Sequence, residues 1–174
     1  MDPSDAIQII FLIVLIMLSA FFSSSETALT TVSSVRIRTL VEEGNKRAAI
    51  LEKVVENKSK MLSAILIGNN VVNLSASSLA TTLTMRLFGN AAVSISTGII
   101  TLLVLIFGEI TPKTLASVHG ERLALACAKP IYVLMTIMTP VIFLMNHISG
   151  GVLRLLGTDP MPRAARSLSM NCGL

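Results

Sequence analysis

Long uncharged stretches and short charged segments alternate along the chain. Four stretches contain no Asp, Glu, Lys or Arg, and they cover residues 6–25, 61–85, 87–108 and 130–153. A helix needs about 20 predominantly apolar residues to cross the hydrocarbon core of a bilayer. The first three stretches therefore predict transmembrane helices at about residues 6–31, 61–87 and 90–111, in an all-α integral membrane protein.

The composition supports a lipid environment for the chain. Of its 174 residues, 52% are hydrophobic and 14% are charged, and the mean hydropathy is +0.75. Soluble domains have about 25% charged residues, and a soluble chain of this length could not bury so much apolar surface. The formal net charge of +4 does not indicate nucleic-acid binding, because the basic residues border the apolar runs instead of forming one polar, basic face.

The basic residues predict the orientation of the chain in the plasma membrane. Half of the fourteen Lys and Arg lie between the first two predicted spans, and none precedes the first: Arg36, Arg38, Lys46, Arg47, Lys53, Lys58 and Lys60. By the positive-inside rule, the N-terminus is outside, and residues 32–60 and the C-terminal part are cytoplasmic. Asp2 and Asp5 precede the first run where a signal peptide would have basic residues, so a span is expected there and not a cleaved signal.

A helical hairpin is predicted in the cytoplasmic segment between the first two spans. Apolar residues recur at helical spacing on both sides of Gly44-Asn45. Gly and Asn together are a strong turn signal. The pattern therefore predicts two short helices over residues 33–58.

The fourth uncharged run is predicted to lie beside the membrane. It contains Pro130 and Pro140, which bend or interrupt helices. If the run crossed the bilayer, Arg154, Arg163 and Arg166 would lie outside, against the charge bias. We therefore expect a bent juxtamembrane belt helix at about residues 130–156, with a fourth crossing as the alternative.

Only two acidic residues, Glu26 and Glu109, fall within the three predicted spans. An ionisable residue inside the membrane is costly and is by default a candidate functional residue. Glu109 follows Gly108 and precedes Pro112, whose missing N–H leaves the carbonyl of residue 108 free to bind a ligand. The alternative role for Glu109 is an ion pair with Lys113, four residues later. The role of Glu26 stays open.

Neutral oxygen donors surround these acids in the sequence. Ser23, Ser24 and Ser25 precede Glu26, and three asparagines occur in the middle of the second predicted span, at positions 69, 70 and 73. Hydroxyl, amide, carbonyl and carboxylate oxygens suit hard cations such as Mg²⁺, Ca²⁺ and Na⁺. Spacing alone does not choose among these ions.

Three motifs make the interpretation more specific. The segments SSSETALTTVSSVRIRTL, GNNVVNLSASSLATT and GEITPKTLASVHGERLA occur in this order, and they resemble the transmembrane domain of the CNNM/CorC family of magnesium transporters over about residues 5–157. The resemblance implies three spanning helices, a cytoplasmic helical hairpin, a juxtamembrane belt helix and a homodimer formed through the membrane domain. It also implies transport of Mg²⁺, commonly described as efflux, with Na⁺ entry as a candidate driving force.

The resemblance maps the family's ion site onto the serine turn, the Gly-Asn segment and Gly108-Glu109. With the neighbouring asparagines, the candidate metal ligands are Ser23, Ser24, Ser25, Asn69, Asn70, Asn73, Gly108 and Glu109. Ser24 replaces the family's usual glycine, which leaves open whether its backbone or its side chain takes part. No catalytic residue is predicted, because the spans lack a nucleophile–base pair and a set of metal-binding histidines.

Two expectations concern what lies beyond the membrane domain. Full-length family members continue into nucleotide-binding CBS modules, whereas residues 158–174 form a Ser/Arg/Pro-containing tail that resembles no such module. We therefore expect a chain truncated before a CBS module, with an unusually short family member as the alternative, and nucleotide binding only through that absent part. The alternative function is a membrane-anchored Mg²⁺ sensor or accessory subunit that regulates another transporter.

Overall fold

The computed structural model describes residues 3–88 and 93–155, which form helices joined by short turns. In chain order the elements are α1 (Pro3–Thr31), α2 (Ser34–Glu42), α3 (Lys46–Glu56), α4 (Lys58–Phe88), α5 (Val93–Leu105), a π-helical turn (Ile106–Ile110), α6 (Thr111–Val118), α7 (Gly120–Ile137) and α8 (Thr139–Leu155). No strand occurs within these described ranges, so the predicted all-α class is confirmed.

Three helical segments are long and apolar enough to cross a membrane. They are Asp5–Thr31, Lys58–Leu87 and Thr97–Val118, which confirms the three predicted spans. The third segment continues past the predicted end at residue 111, because Pro112 lies in the first turn of α6, where a missing N–H is tolerated. A fourth span would result only if α7 and α8 were counted together as one broken helix.

The transmembrane bundle is built around α1, which contacts α4, the π turn and α6, while α5 packs on α4. Large apolar side chains on α1, such as Ile7 and Met17, are exposed in the isolated chain. In a bilayer these side chains would face lipid, so their exposure costs no hydrophobic free energy. The interior of the bundle instead buries hydroxyl groups of α1, namely those of Ser19, Ser23 and Ser25.

Helices α2 and α3 form the hairpin at the residues where the pattern predicts it. Gly44 has a φ of +80°, a conformation that favours glycine, and the chain reverses there. The Asn45 side chain then accepts hydrogen bonds from the N–H groups of Arg47 and Ala48 and caps α3. The two helices bury an aliphatic core of Ile37, Leu40, Leu51 and Val54.

The predicted belt region differs from the expectation at its start. The described part of the chain divides into two compact units, with the boundary between residues 136 and 137. Pro130 lies inside α7, which already begins at Gly120, and the break falls at Met138. Pro140 lies in the first turn of α8, where its missing N–H costs no helical hydrogen bond. The helical region thus begins about ten residues before the predicted start of the belt, and its juxtamembrane position stays a prediction. The predicted tail at 158–174 lies outside the described residues.

Candidate ion-binding site

The third span contains a π-helical turn at Ile106–Ile110, where the N–H of Thr111 donates to the carbonyl of Ile106. Such a turn has one residue more than an α-helical turn and occurs frequently at functional sites. Gly108 is buried at its centre. A Cβ at Gly108 would lie 3.2 Å from Ser19 Oγ and 3.4 Å from Ser19 Cβ. The glycine therefore allows the backbone of the π turn to approach α1 closely.

Ser19 links three segments of the bundle. Its Oγ donates to Asn73 Oδ1 at 2.7 Å and lies 3.3 Å from the carbonyl oxygen of Gly108. A hydroxyl has one proton to donate, so the shorter contact with Asn73 leaves the Gly108 carbonyl with lone pairs to offer. Two predicted ligands, Asn73 and Gly108, are thus brought together by a residue that the sequence analysis missed. The available signal was its position four residues before Ser23, on the same helix face.

The three serines that follow on α1 have different surroundings. Ser23 is fully buried, and its Oγ has no hydrogen-bond partner within the described part of the chain. Ser24 Oγ donates to the Phe21 carbonyl of its own helix at 3.0 Å. Ser25 is buried beside the thiol of Cys127 on α7, and its Oγ likewise has no geometric hydrogen-bond partner among the described residues. Because residues two apart point in very different directions around a helix, Ser23 shares the face of Ser19 and Ser25 does not.

The asparagines of α4 also separate into distinct roles. Asn69 is half-buried, and its Oδ1 is buried without a partner among the described residues. Asn70 is exposed, whereas Asn73 accepts from Ser19. A Cβ at Gly68 would lie only 2.8 Å from Phe22 Cζ. This glycine brings α4 and α1 close together at the residues that precede Asn69 and Ser23 in the sequence, and both of these have a buried oxygen without a partner among the described residues.

A charged cluster lies beside these neutral donors. Lys113 Nζ is 3.0 Å from Glu109 Oε1 and 3.8 Å from Glu26 Oε2. All three side chains are 38–40% exposed. The Glu109–Lys113 ion pair, predicted as the alternative role for Glu109, is therefore present. The cluster also includes Glu26, which the sequence could not connect to Lys113 because the two are far apart along the chain.

Glu109 also borders a cavity of about 180 Å³ between α4 and α5. Its polar lining includes Asn73, Ser77, Thr97 and Thr101. The Oγ1 of Thr97 is buried and lacks a partner among the residues that the structure describes. Glu109 is thus accessible to a polar cavity as well as to the Lys113 cluster.

The donor set determines which ligands the site could hold. Within residues 3–88 and 93–155, no three His, Cys, Asp or Glu side chains come together as a metal-binding group. A cation here would be bound by hydroxyl, amide and carbonyl oxygens with one or two carboxylates. That is a suitable set for Mg²⁺, which binds through one or two carboxylates and keeps several waters.

Comparison with known families agrees with this architecture. The family model described as the Cyclin M transmembrane N-terminal domain (CNNM) matches residues 10–170. The chain belongs to the CNNM family. Its CNNM domain is a multi-pass membrane domain, and the motifs of its candidate site all lie within the matched range.

Several curated proteins are similar to this CNNM domain. A UPF0053 protein of Haemophilus influenzae is 43% identical over 148 residues, which are 85% of this chain and 35% of that protein. The UPF0053 inner membrane protein YfjD of Escherichia coli is 40% identical over 140 residues, 80% of this chain and 33% of YfjD. An Arabidopsis thaliana DUF21 domain-containing protein, At1g55930, chloroplastic, is 36% identical over 150 residues, 86% of this chain and 23% of that protein. The CNNM domain thus spans about a third of the length of the two bacterial relatives.

Proposed function

We propose that this CNNM domain transports Mg²⁺ through a site formed by α1, α4 and the π turn. One observation supports the proposal above the others: the π turn places the Gly108 carbonyl beside Ser19 and Asn73 within a transmembrane bundle. Glu109 adds a carboxylate at the same turn. Ser23 and Asn69 supply buried oxygens that lack a partner among the described residues.

The energetics of unpaired oxygens favour a bound cation. A buried polar group without a hydrogen bond costs about 1–3 kcal/mol. Two such oxygens belong to Ser23 and Asn69, the residues that directly follow Phe22 and Gly68, where α1 and α4 approach closely. A divalent cation, alone or with part of its water shell, would satisfy them and would balance the charge of Glu109.

The direction and coupling of transport belong to the same proposal. The basic segment between α1 and α4 supports a cytoplasmic hairpin, with the N-terminus outside and the C-terminus inside the plasma membrane. Glu109 borders both the α4–α5 cavity and the Lys113 cluster, which suits a site reached in turn from two sides. Efflux driven by Na⁺ entry is the mode that the family resemblance implies.

A homodimer formed through the membrane domain is part of the proposal. Small polar residues of α4 are exposed on its surface at helical spacing: Ser75, Ser78 and Thr82. Small residues let transmembrane helices approach closely. Light scattering of the detergent-solubilised chain should give about twice the protein mass of one 18.6 kDa chain. A monomer that still binds Mg²⁺ would contradict the dimer without contradicting transport.

The central test removes the charge of Glu109. The native chain, in liposomes with an entrapped Mg²⁺-sensitive dye, should pass Mg²⁺ faster than empty liposomes do. Glu109→Gln keeps the shape of the side chain but should weaken Mg²⁺ binding, measured by calorimetry, by more than tenfold, about 1.4 kcal/mol. Flux should fall with it.

Glu42→Gln is the matched control, since Glu42 is an exposed acid at the end of α2. It should leave both binding and flux unchanged. Native affinity in Glu109→Gln would contradict the proposed site. Binding of Mg²⁺ by the native chain without any flux would favour the sensor or accessory role.

A further inference from the structure

Lys113 links two carboxylates that belong to different helices. Its ammonium lies 3.0 Å from Glu109 Oε1 in the π turn and 3.8 Å from Glu26 Oε2 on α1. The proposed ligand Glu109 is thus already paired with a positive charge that belongs to the protein. Glu26 is a second acceptor for the same ammonium, less than 1 Å more distant.

A divalent cation and this ammonium cannot share Glu109 without cost. Both would be positive charges within a few ångströms of each other, and such repulsion is large where water is sparse. Lysine is a compact charge on a flexible four-carbon stem, and the Lys113 side chain is 38% exposed. The stem therefore has room to move, and Glu26 is the acceptor within its reach.

We propose that Lys113 is an internal counter-ion that neutralises Glu109 between ions and transfers to Glu26 when Mg²⁺ binds. This inference rests on the proposed function. Lys113 is then a positioning residue that lowers the affinity of the site, and its return to Glu109 helps to release the ion. Glu26 holds the ammonium while Mg²⁺ occupies Glu109.

The test predicts an affinity gain, which damage to the fold would not produce. Lys113→Gln removes the competitor and should tighten Mg²⁺ binding by roughly fivefold, the factor that corresponds to a partly exposed ion pair. In the liposome assay, the flux of Mg²⁺ at saturating Mg²⁺ should become slower, because the site releases the ion more slowly. Lys113→Arg keeps the charge and should bind Mg²⁺ no more tightly than the native chain. Lys129→Gln, an exposed lysine on α7, is the matched control and should change neither property.

The role of Glu26 is tested by a double-mutant cycle. Glu26→Gln removes the second acceptor, holds Lys113 on Glu109 and should weaken Mg²⁺ binding by about threefold to fivefold. In the Lys113→Gln background the same substitution should have no effect, because no ammonium remains to be accepted. An equal loss of affinity in both backgrounds would make Glu26 a direct ligand and would overturn the transfer of Lys113.

The outcomes separate this inference from the proposed function. Unchanged or weaker Mg²⁺ binding by folded Lys113→Gln, with native binding intact, overturns the counter-ion role alone. Absence of Mg²⁺ binding by the native chain and by Lys113→Gln alike overturns the proposed function. If Lys113→Gln does not elute as folded protein in size-exclusion chromatography, Lys113→Met, which keeps an unbranched apolar stem, serves as the neutral variant.

Discussion

The transmembrane bundle and the α2–α3 hairpin both bury apolar side chains, such as Leu29 and Ile65 in the bundle, but they differ in what they expose and in the hydroxyl groups that the bundle buries as well. The hairpin buries aliphatic side chains such as Leu51 and Val54 and exposes its charges, as a soluble domain does. The bundle exposes large aliphatic side chains such as Ile10 and Met17, and it buries Ser19 and other hydroxyls. The two regions therefore differ in which residues are exposed and which are buried, because water surrounds one region and lipid surrounds the other.

This difference indicates which buried residues are candidates for a functional role. In the hairpin, burial is explained by the removal of apolar surface from water. In the bundle, hydroxyl and amide groups are buried where lipid provides no hydrophobic drive between helices. Some of them, such as Ser23 Oγ, lack a partner within the described ranges. Buried groups that add no stability to the fold are the better candidates for binding an ion.

Truncating a side chain in the hairpin core should have the largest effect on stability and none on Mg²⁺ binding. Leu51 is 0% exposed, so Leu51→Ala should destabilise the hairpin by about 2–5 kcal/mol. Hydrogen exchange should show protection lost in α2 and α3, while Mg²⁺ affinity stays at the native value. Val35→Ala is the control, because Val35 is 76% exposed. Loss of Mg²⁺ binding in Leu51→Ala would mean that the two regions do not act separately.

An overpacking substitution tests the bundle in the same way. Gly68→Leu forces a side chain into the ring of Phe22 and should cost about 1–3 kcal/mol of stability. It should also weaken Mg²⁺ binding, because α4 and α1 separate beside Asn69. Gly98→Leu is the control, since no neighbouring atom within the described structure lies within 4 Å of a Cβ there. Thermal unfolding in detergent and calorimetry measure the two effects, and equal behaviour of the two variants would count against the close approach.

Removing a buried hydroxyl should separate stability from binding. Ser23→Ala deletes an oxygen that has no partner among the described residues, so the free energy of unfolding should stay the same or rise by about 1 kcal/mol. Mg²⁺ affinity should fall by about fivefold. Ser24→Ala, whose hydroxyl bonds to its own helix, should leave the affinity unchanged. A destabilised Ser23→Ala with native affinity would make Ser23 a packing residue.

The smallest effect is expected at the ion pair that joins α2 to α7. Arg36 Nε lies 3.2 Å from Glu121 Oε2, and both side chains are exposed. The hydrogen bond and the charge of Glu121 raise the pKa of Arg36 above its ordinary value. A raised basic pKa gives stability that is present at lower pH and lost only as pH rises through that pKa, so the contribution of the pair to stability should not fall as the pH rises from 7 to about 9.

Arg36→Gln should accordingly leave the melting temperature unchanged within error, because exposed ion pairs contribute little. Melting curves at low and high NaCl check the result, since salt screens exposed charges. A salt-dependent drop in the melting temperature, absent from the variant, would show that this contact does stabilise the fold.

The sequence was sufficient for the large elements and insufficient for the geometry of the site. Runs without charge predicted the three spans, because a charge in the bilayer core is costly at any position. The π turn could not be predicted, since residues 87–108 carry no charge and have no amphipathic pattern in which a shift by one residue could be seen. Ser19 and the contact between Glu26 and Lys113 depend on how the helices pack, which composition does not specify.

The predicted ligands have different surroundings in the structure, and helix packing is again the reason. Asn73 and Gly108 do come together, through Ser19. Ser25 matches the motif as well as Ser23 does, yet it lies beside Cys127 of α7. A motif gives the spacing along one helix, whereas the neighbouring helix determines which side of that motif faces the site. The assignment of Mg²⁺ ligands within the serine turn stays a prediction.

The π turn also has a consequence for how this span can change in evolution. Such a turn is equivalent to one residue inserted into an α-helix. Deleting one residue from Ile106–Ile110 would restore regular α-helix, but it would rotate the segment on one side by about 100° relative to the other. If α5 stays packed on α4, the segment that contains Glu109 and Lys113 would then no longer face α1. A deletion that the helix itself would tolerate is thus one that would take apart the proposed ion site, so the extra residue is needed for the proposed function and not for the helix.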